Sequence, residues 1–328
     1  MKNLDLKDRK ILYQLDCNAR QSIPQLSKQV SIHRNALRYR LKRLERLGII
    51  TQYYTVIDSY KLGYMVLKFY TTFQNASSTL RHNVVDYFVE SPNTWVVLSS
   101  EGAFELGVIF WIRDMNRFYS YWEKTLSLYN RYFKDPTLLF QLQAISYKPT
   151  YLIQHERPIN EPFEISGNAC AVHLESLDLQ LLHLIATKAR ISVTDIARTL
   201  GVTTNIVRYH MKKLTQLQVI QRYRIAIDIS KLGFQTIKVD LFLNDYGKKN
   251  RVIAYLKKNP YLVCIMMSLG YSHLEIEFHV KNHAHLHSIM QDLIDSFPDI
   301  IRNYHYFVVL KNHKLRWIPS QTDDELPC

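Results

Sequence analysis

The chain has 328 residues, of which 47% are hydrophobic and 22% are charged, so it can bury the cores of about two domains and is not a disordered protein. Its 42 lysines and arginines outnumber 29 acidic residues and leave a formal net charge of +13, which favours a polyanionic partner. Only nine glycines argue against a glycine-rich nucleotide-binding enzyme.

The sequence contains the same pattern twice. A shift of 170 residues aligns positions 4–64 with 174–234 without a gap and gives 19 identities, and a weaker match continues with a shift of 168. Each copy therefore predicts a basic unit followed by a larger unit. The expected domains are residues 1–63 and 64–150, then a linker at 151–173 that contains Pro158 and Pro162, then 174–233 and 234–318, and a polar tail at 319–328.

The basic unit is predicted to be a winged helix-turn-helix. Its first helix shows an apolar face at Ile11, Leu12 and Leu15, and Ser22 with Gln25 is typical of a capping box that starts a second helix. A tight turn leads into a third helix, whose leucines recur at helical spacing from Leu37. The β-rich segments 49–57 and 219–227 then predict a wing hairpin in each copy.

One face of the third helix points to nucleic-acid recognition. Four residue types stand at i, i+3, i+4 and i+7 in both copies, and such positions share one face of a helix. Arginine can read guanine, asparagine can read adenine, and lysine and tyrosine can hold phosphates. The candidate DNA-binding residues are Arg34, Asn35, Arg38, Tyr39, Lys42 and Arg43 in copy one, and Asn205, Arg208, Tyr209, Lys212 and Lys213 in copy two.

The larger unit changes to a strand and helix pattern. Strands are expected at 64–74, 94–100, 105–112 and 138–147, with helices at 79–90 and 115–128 between them. The order βαββαβ predicts a ferredoxin-like antiparallel sheet with two helices on one face. The second copy repeats these strands near 234–244, 261–268, 274–280 and 301–310. The fold class is therefore α+β, with two copies of a winged helix-turn-helix plus a ferredoxin-like module.

Both copies together resemble the Lrp/AsnC, or feast/famine, transcriptional regulators. The resemblance rests on "LDxxDxxIL" at 4–12, "ARxS" at 19–22, the basic third helix, "YxxxxDxxKLG" at 53–63 and the βαββαβ order. It implies a sequence-specific DNA-binding regulator whose partner is double-stranded DNA and whose effector is a small molecule such as an amino acid. It places the candidate effector residues in the loop with Gly102, Phe104 and Glu105, whereas the second copy has His273 in place of the acid.

A tandem chain departs from the single unit that is usual in this family. Two sheet modules in one chain can pair with each other, so we expect an intrachain pseudo-dimer, with further homo-oligomerisation through exposed sheet edges as an added arrangement. Two other functions stay open from the sequence. One is a siroheme-decarboxylase-like enzyme of the same architecture, although the Arg-Ile-Gly run and the His-bearing stretch of such enzymes are missing. The other is an interaction protein whose heads no longer bind DNA.

Cofactor, metal and membrane sites are not indicated. The four cysteines form no CxxC pair, which excludes a zinc knuckle and favours reduced thiols. His283 and His287 stand at i and i+4, but no cysteine or carboxylate cluster accompanies them, so we expect no metal. The N-terminal residues are charged where a signal peptide is apolar, and no apolar stretch could span a bilayer. We therefore expect a cytoplasmic protein without a cofactor, without catalytic activity and without a membrane partner.

Overall fold

The computed structural model describes residues 4–153, 162–167 and 170–320. Both halves of the chain have the same order of elements, with a three-helix head followed by a βαββαβ module. The first half consists of α1 (Leu6–Cys17), α2 (Ile23–Val30), α3 (Arg34–Arg46), β1 (Ile50–Ile57), β2 (Met65–Phe73), α4 (Ser78–Glu90), β3 (Thr94–Gly102), β4 (Leu106–Ile112), α5 (Met115–Tyr129) and β5 (Phe133–Tyr147). After β6 (Pro162–Gly167), the second half consists of α6 (Ser176–Ala186), α7 (Val193–Leu200), α8 (Thr204–Gln216), β7 (Ile220–Ile227), β8 (Gln235–Leu243), α9 (Lys249–Leu256), β9 (Leu262–Leu269), β10 (Leu274–Val280), α10 (His283–Ser296) and β11 (Ile301–Leu315).

The predicted α+β fold class is confirmed. Each half forms a four-stranded antiparallel sheet, with strand order β3-β4-β2-β5 in the first half and β9-β10-β8-β11 in the second. This is the strand order of a ferredoxin-like module. Alternate residues of β8, such as Ile237, Val239 and Leu241, pack with apolar residues of α9 and α10, so the helices cover the outer face of the sheet.

The two sheets join into one closed barrel. Strand β3 pairs with β11, and β5 pairs with β9, so eight strands are hydrogen-bonded in a ring. Closure pairs the outer edge strands of both sheets, because each of the eight barrel strands has a hydrogen-bonded neighbour on both sides. The expectation of further association through exposed edges of these sheets is therefore wrong for the eight ring strands.

Two glycines sit where the halves meet. Gly102 has φ of +123°, and a Cβ atom there would lie 2.6 Å from the carbonyl oxygen of Tyr306 on β11. Gly270 occupies the matching position at the other seam, with φ of +124° and a Cβ position 2.8 Å from the carbonyl oxygen of Leu138. Both the backbone conformation and the close approach require glycine at these positions.

The predicted wing hairpins are wrong in each head taken by itself. Segments 49–57 and 219–227 each form a single strand, β1 and β7, and these two strands pair with each other in antiparallel register. The register places Tyr53 opposite Ile225 and Tyr54 opposite Arg224. The two strands therefore form a ribbon that ties one head to the other, and a strand pattern in the sequence cannot show which copy supplies the partner.

The segment between the halves differs from the structureless linker that its prolines suggest. Within residues 151–173, β6 pairs with the second part of β5, in register from Gln143 opposite Gly167 to Tyr147 opposite Pro162. Gly167 N also donates to the carboxyl group of Asp58, at 3.4 and 3.3 Å. Proline is tolerated at the first residue of a strand, where no ladder hydrogen bond is lost. Residues 154–161 and 168–169 of this segment and 321–328 of the predicted tail lie outside the described residues.

The inside of the barrel carries buried charges. Lys68 of β2 donates to Glu275 of β10 at 2.9 Å, and the two side chains are 0% and 5% exposed. Lys238 pairs with Glu277 at 3.2 Å within the second half. Asp240 is buried beside them and accepts from Ser272 Oγ at 2.9 Å. Buried ions require such partners, so the barrel interior depends on matched charges between the halves.

Candidate nucleic-acid interface

Each head exposes the face of its third helix that the sequence marks for recognition. In the first head, α3 buries Leu37, Leu41 and Leu44 in the core, which directs the opposite face to solvent. Tyr39 and Tyr209 are 68% and 65% exposed. The other exposed candidates on these two helices are Arg34, Asn35, Arg38 and Lys42 in the first head and Asn205, Arg208 and Lys212 in the second.

The same side-chain hydrogen bond forms on both faces. Arg38 Nη1 donates to Asn35 Oδ1 at 3.1 Å, and Arg208 Nη1 donates to Asn205 Oδ1 at 3.1 Å. Arg208 also contacts the hydroxyl group of Thr204 at 3.4 Å. Each bond holds the guanidinium group against the helix and leaves its remaining donors exposed, which suits a side chain that reads the edge of a base.

Two candidate residues, Arg43 and Lys213, have acidic partners at the first helix of their own head. Arg43 Nη1 lies 3.0 Å from Asp8 Oδ2, and Lys213 Nζ lies 2.8 Å from Asp178 Oδ2 and 2.7 Å from Glu175 Oε1. Asp8 and Asp178 are buried equivalents on the first helix of each head. Arg43 and Lys213 therefore connect the third helix of each head to the first one by an ion pair. The signal in the sequence is the aspartate that recurs in both copies, as Asp8 and Asp178.

The aspartate of the second head has one further partner. His210 Nδ1 lies 2.7 Å from Asp178 Oδ1 and is buried where the first head has Arg40, which pairs with Asp8 at 2.8 Å. Burial by itself raises the pKa of Asp178, but the hydrogen bonds from His210 and Lys213 outweigh it and lower the pKa. Asp178 is therefore an ionised anchor for α8.

The two heads touch each other through a reciprocal pair of arginines. Arg20 Nη1 donates to the carbonyl oxygen of Ala189 at 2.6 Å, and Arg190 Nη1 donates to that of Ala19 at 2.8 Å. Each guanidinium group also lies over a tyrosine ring of the β1–β7 ribbon, at 5.3 Å for Arg20 and 5.4 Å for Arg190. This role of Arg20 and Arg190 was not predicted from the sequence, although the Ala-Arg pair recurs in both copies. The contact fixes one head relative to the other.

The candidate effector loop is only partly assembled as expected. Gly102 and Phe104 line a groove beside Tyr271. Both oxygens of Glu105 are occupied, because Oε2 accepts from Phe73 N at 2.6 Å and Oε1 lies 2.5 Å from Arg81 Nη1. Burial opposes ionisation of Glu105, but these two contacts lower its pKa.

The second copy replaces this acid with a histidine that makes the same backbone contact. His273 Nδ1 accepts from Leu243 N at 2.8 Å, which is the counterpart of the bond from Phe73 N to Glu105. The position therefore serves first to hold the end of the first strand of each sheet. The second carboxylate oxygen of Glu105, which contacts Arg81, has no counterpart in His273 of the second half.

Two kinds of feature are absent from the described ranges 4–153, 162–167 and 170–320. No three histidine, cysteine, aspartate or glutamate side chains come together there as a metal site. No helix in those ranges is both long and apolar enough to cross a bilayer.

Known proteins match this chain either by halves or as a whole. The winged helix-turn-helix DNA-binding family matches residues 4–51 and again 165–221. The HTH-type transcriptional regulator FL11 of Pyrococcus horikoshii is 25% identical over 143 residues, which are 44% of this chain and 93% of that protein. The proline dehydrogenase transcriptional activator of Rhodobacter capsulatus is 30% identical over 139 residues, which are 40% of this chain and 88% of that protein.

Solved structures of a siroheme decarboxylase align with almost the entire chain. The crystal structure of the siroheme decarboxylase NirDL has a TM-score of 0.66 at 11% identity and covers 97% of this chain and 95% of that one. At this level of identity the likeness shows a shared fold. The tandem arrangement of two heads and two sheet modules thus occurs in a second protein, whereas the sequence similarity points to single-unit regulators.

Proposed function

The chain belongs to the Lrp/AsnC family of transcriptional regulators in a tandem duplicated form, and from this we propose that both of its heads bind double-stranded DNA in a sequence-specific manner. One observation carries the proposal. The two heads expose the same four residue types on the third helix and form the same arginine–asparagine hydrogen bond. A surface with no ligand needs charge for solubility, but it does not need the same residues in the same contacts twice.

The proposed roles differ along this face. Arg38 and Arg208, held by asparagine, read base edges in the major groove, with Asn35 and Asn205 as second readers. Lys42, Lys212 and the two tyrosines hold phosphates and set the position of the helix on the duplex. The head-to-head contacts of Arg20 and Arg190 present the two helices as one unit, so the preferred site has two related half-sites at a defined spacing.

Electrostatics gives the first experiment. Binding of the purified chain to duplex DNA is measured by fluorescence anisotropy between 50 and 200 mM salt. If the two heads neutralise about 6–10 phosphates, the affinity for DNA falls by about 10³–10⁵ over this range. The reason is that binding releases cations from the DNA, and this release becomes less favourable as the salt concentration rises. The matched control is Lys257→Ala, which removes a positive charge at the end of α9, outside both heads, and is expected to leave the salt dependence unchanged. A flat salt dependence contradicts the proposal.

The two alternatives predict other results. A decarboxylase of this fold binds a tetrapyrrole and gains a visible absorption band on titration, whereas the proposed regulator shifts labelled DNA and shows no such band. An interaction protein binds neither duplex DNA nor a tetrapyrrole. The relatives are named transcriptional regulators, and the decarboxylase shares the fold, so the sequence similarity supports the regulator.

A response to a small effector is the second part of the proposal. The family resemblance suggests an amino acid, and the prediction from the sequence is that its ammonium group pairs with Glu105. In the structure both oxygens of Glu105 already have partners on β2 and α4. Another part of the molecule offers unpaired groups for a ligand of this kind.

A further inference from the structure

A cavity of about 350 Å³ lies between the two sheets, at the end of the barrel that the β1–β7 ribbon covers. Its wall includes two aromatic pairs. The rings of Tyr54 and Trp317 stack with centroids 3.5 Å apart, and those of Trp95 and Trp111 stack at 5.2 Å. The volume is in the range of pockets that hold small molecules, which is roughly 300–1,000 Å³, and aromatic walls are typical of such pockets.

Three polar groups of this wall have no hydrogen-bond partner within the described ranges. Glu164 Oε1 accepts from Arg224 Nη1 at 3.1 Å, but Glu164 Oε2 has no hydrogen-bond partner among the described residues. The indole N–H groups of Trp95 and Trp111 likewise find no acceptor within that part of the chain. Glu164 is 7% exposed and Trp111 is 3% exposed. Buried polar groups are almost always paired. A ligand that donates a hydrogen bond to the Glu164 carboxylate and accepts hydrogen bonds from the indole N–H groups therefore fits this wall.

Two cations of this wall are already paired with acids, and a third, Arg316, lies over the Trp111 ring with its Cζ atom 5.6 Å from the ring centroid. Arg224 Nη2 lies 2.9 Å from Asp16 Oδ2, and Lys238 pairs with Glu277 at 3.2 Å. The unpaired oxygen of Glu164 is therefore free to accept from a ligand, whereas the indole groups can only donate.

We propose that this cavity binds a small zwitterion with an apolar or aromatic body. Its ammonium group donates to Glu164 Oε2, its carboxylate accepts from the indole N–H groups of Trp95 and Trp111, and its body packs on the aromatic wall. The site lies between the sheets of the two halves and is separate from the loop of Gly102, Phe104 and Glu105.

The cavity also contacts the element that joins the heads. Tyr54 and Arg224 face each other in the β1–β7 ribbon, and both line the cavity. A bound ligand therefore biases the geometry of the ribbon and of the two reading helices, which is the requirement for coupling between two sites. This regulatory part rests on the proposed DNA-binding function, whereas the binding site itself does not.

Calorimetric titration of the full chain with three related probes identifies the ligand chemistry. The probes are L-phenylalanine, 3-phenylpropionate, which lacks the ammonium group, and phenethylamine, which lacks the carboxylate. L-phenylalanine is expected to bind, and loss of either end weakens binding by about tenfold or more, as expected for a lost charge-assisted hydrogen bond.

Two variants assign the contacts. Glu164→Gln weakens binding of L-phenylalanine and phenethylamine and leaves 3-phenylpropionate unchanged. Trp111→Phe keeps the aromatic wall but removes one N–H donor, so it weakens the two probes that carry a carboxylate. Because these variants act on different probes, a general loss of folding cannot imitate the result. The matched control is Glu105→Gln, which is expected to leave all three affinities unchanged.

Failure of all three probes to bind overturns the inference. So does loss of binding in Glu105→Gln with full binding in Glu164→Gln, which places the ligand at the loop. DNA binding is measured in parallel without ligand. Intact DNA binding without probe binding counts against the cavity site alone, whereas probe binding without DNA binding supports the cavity and contradicts the proposed function.

Discussion

In the proposed function, sequence reading by the two heads depends on Arg38 and Arg208. Each keeps exposed guanidinium donors while asparagine holds the group in place. Arg38→Ala and Arg208→Ala are each expected to weaken specific binding by about 1–3 kcal/mol and to relax the preference at one base pair. Lys42→Ala, on the same face, is expected to weaken all sequences alike. Selection of bound sequences from a random pool with each variant measures the difference. An unchanged preferred sequence in Arg38→Ala makes Arg38 a phosphate contact.

Asp240 should make stability depend on pH. Its pKa is raised to about 7, because burial and the nearby charge of Glu275 disfavour the ionised form. The folded protein therefore keeps a proton that the unfolded chain loses near its ordinary pKa of 3.8. The stability that this proton contributes is fully present below pH 4 or so and is lost as pH rises through about 7.

Asp240→Asn removes this loss because it cannot ionise. The free energy of unfolding of the variant relative to wild type is expected to rise by roughly 2–4 kcal/mol between pH 5 and pH 8. Urea denaturation at both values measures it, and the subtraction cancels other titrating groups such as His279. A difference that stays constant between the two pH values contradicts the raised pKa.

At the scale of single elements, periodicity predicted the structure well wherever the partner of an element is close in sequence. The capping box of Ser22 and Gln25 and the buried stripe of α3 are present as expected, because helices are determined by residues three and four apart. Pairing of β1 with β7 could not be predicted, since the residue pattern of a strand does not identify a pairing partner 170 residues away. The roles of Arg43 and Lys213 were missed for a related reason. Helical spacing shows that a side chain is on an outer face, but not that a buried aspartate of another helix reaches it.

The contact between the heads leads to a prediction about spacing. Arg20→Ala and Arg190→Ala each remove a bond to a carbonyl group and a contact with a tyrosine ring, so each is expected to lower the free energy of unfolding by about 1–3 kcal/mol. The double variant should still bind one half-site but should lose its preference for one separation of two half-sites. Binding to duplexes whose half-sites are moved apart one base pair at a time shows this.

The matched control for spacing is Arg198→Ala. Arg198 belongs to α7, is 75% exposed and pairs only weakly with Asp195 at 3.0 Å on the same helix. It is expected to leave the spacing preference unchanged. An equally sharp preference in the double variant would mean that the β1–β7 ribbon alone fixes the heads.

For the whole molecule, the buried charges explain why the first half pairs with the second. Lys68 and Lys238 occupy the same position in the two repeats, but both carboxylates that neutralise them, Glu275 and Glu277, come from the second half. Gly107 and Ile109 stand at the matching positions of the first half. Two first halves would bury two lysines without a partner, and two second halves would bury an excess of acid. Removal of one partner from a buried pair costs about 3–5 kcal/mol, so mixed pairing is strongly favoured.

Because the chain supplies both halves of the barrel, we predict a single chain as the basic unit. Light scattering should give the mass of one chain at high dilution, and footprinting should show protection of two half-sites. Lys68→Glu places two acids together inside the barrel and is expected to destabilise the packing of one half on the other, lowering the midpoint of unfolding, whereas Lys68→Glu with Glu275→Lys restores the pair and most of the stability. A stable dimer of two chains whose modules pair only between chains, with four protected half-sites, would contradict a single chain as the basic unit. An equal loss in the single and the double variant would remove this ion pair as the reason for mixed pairing.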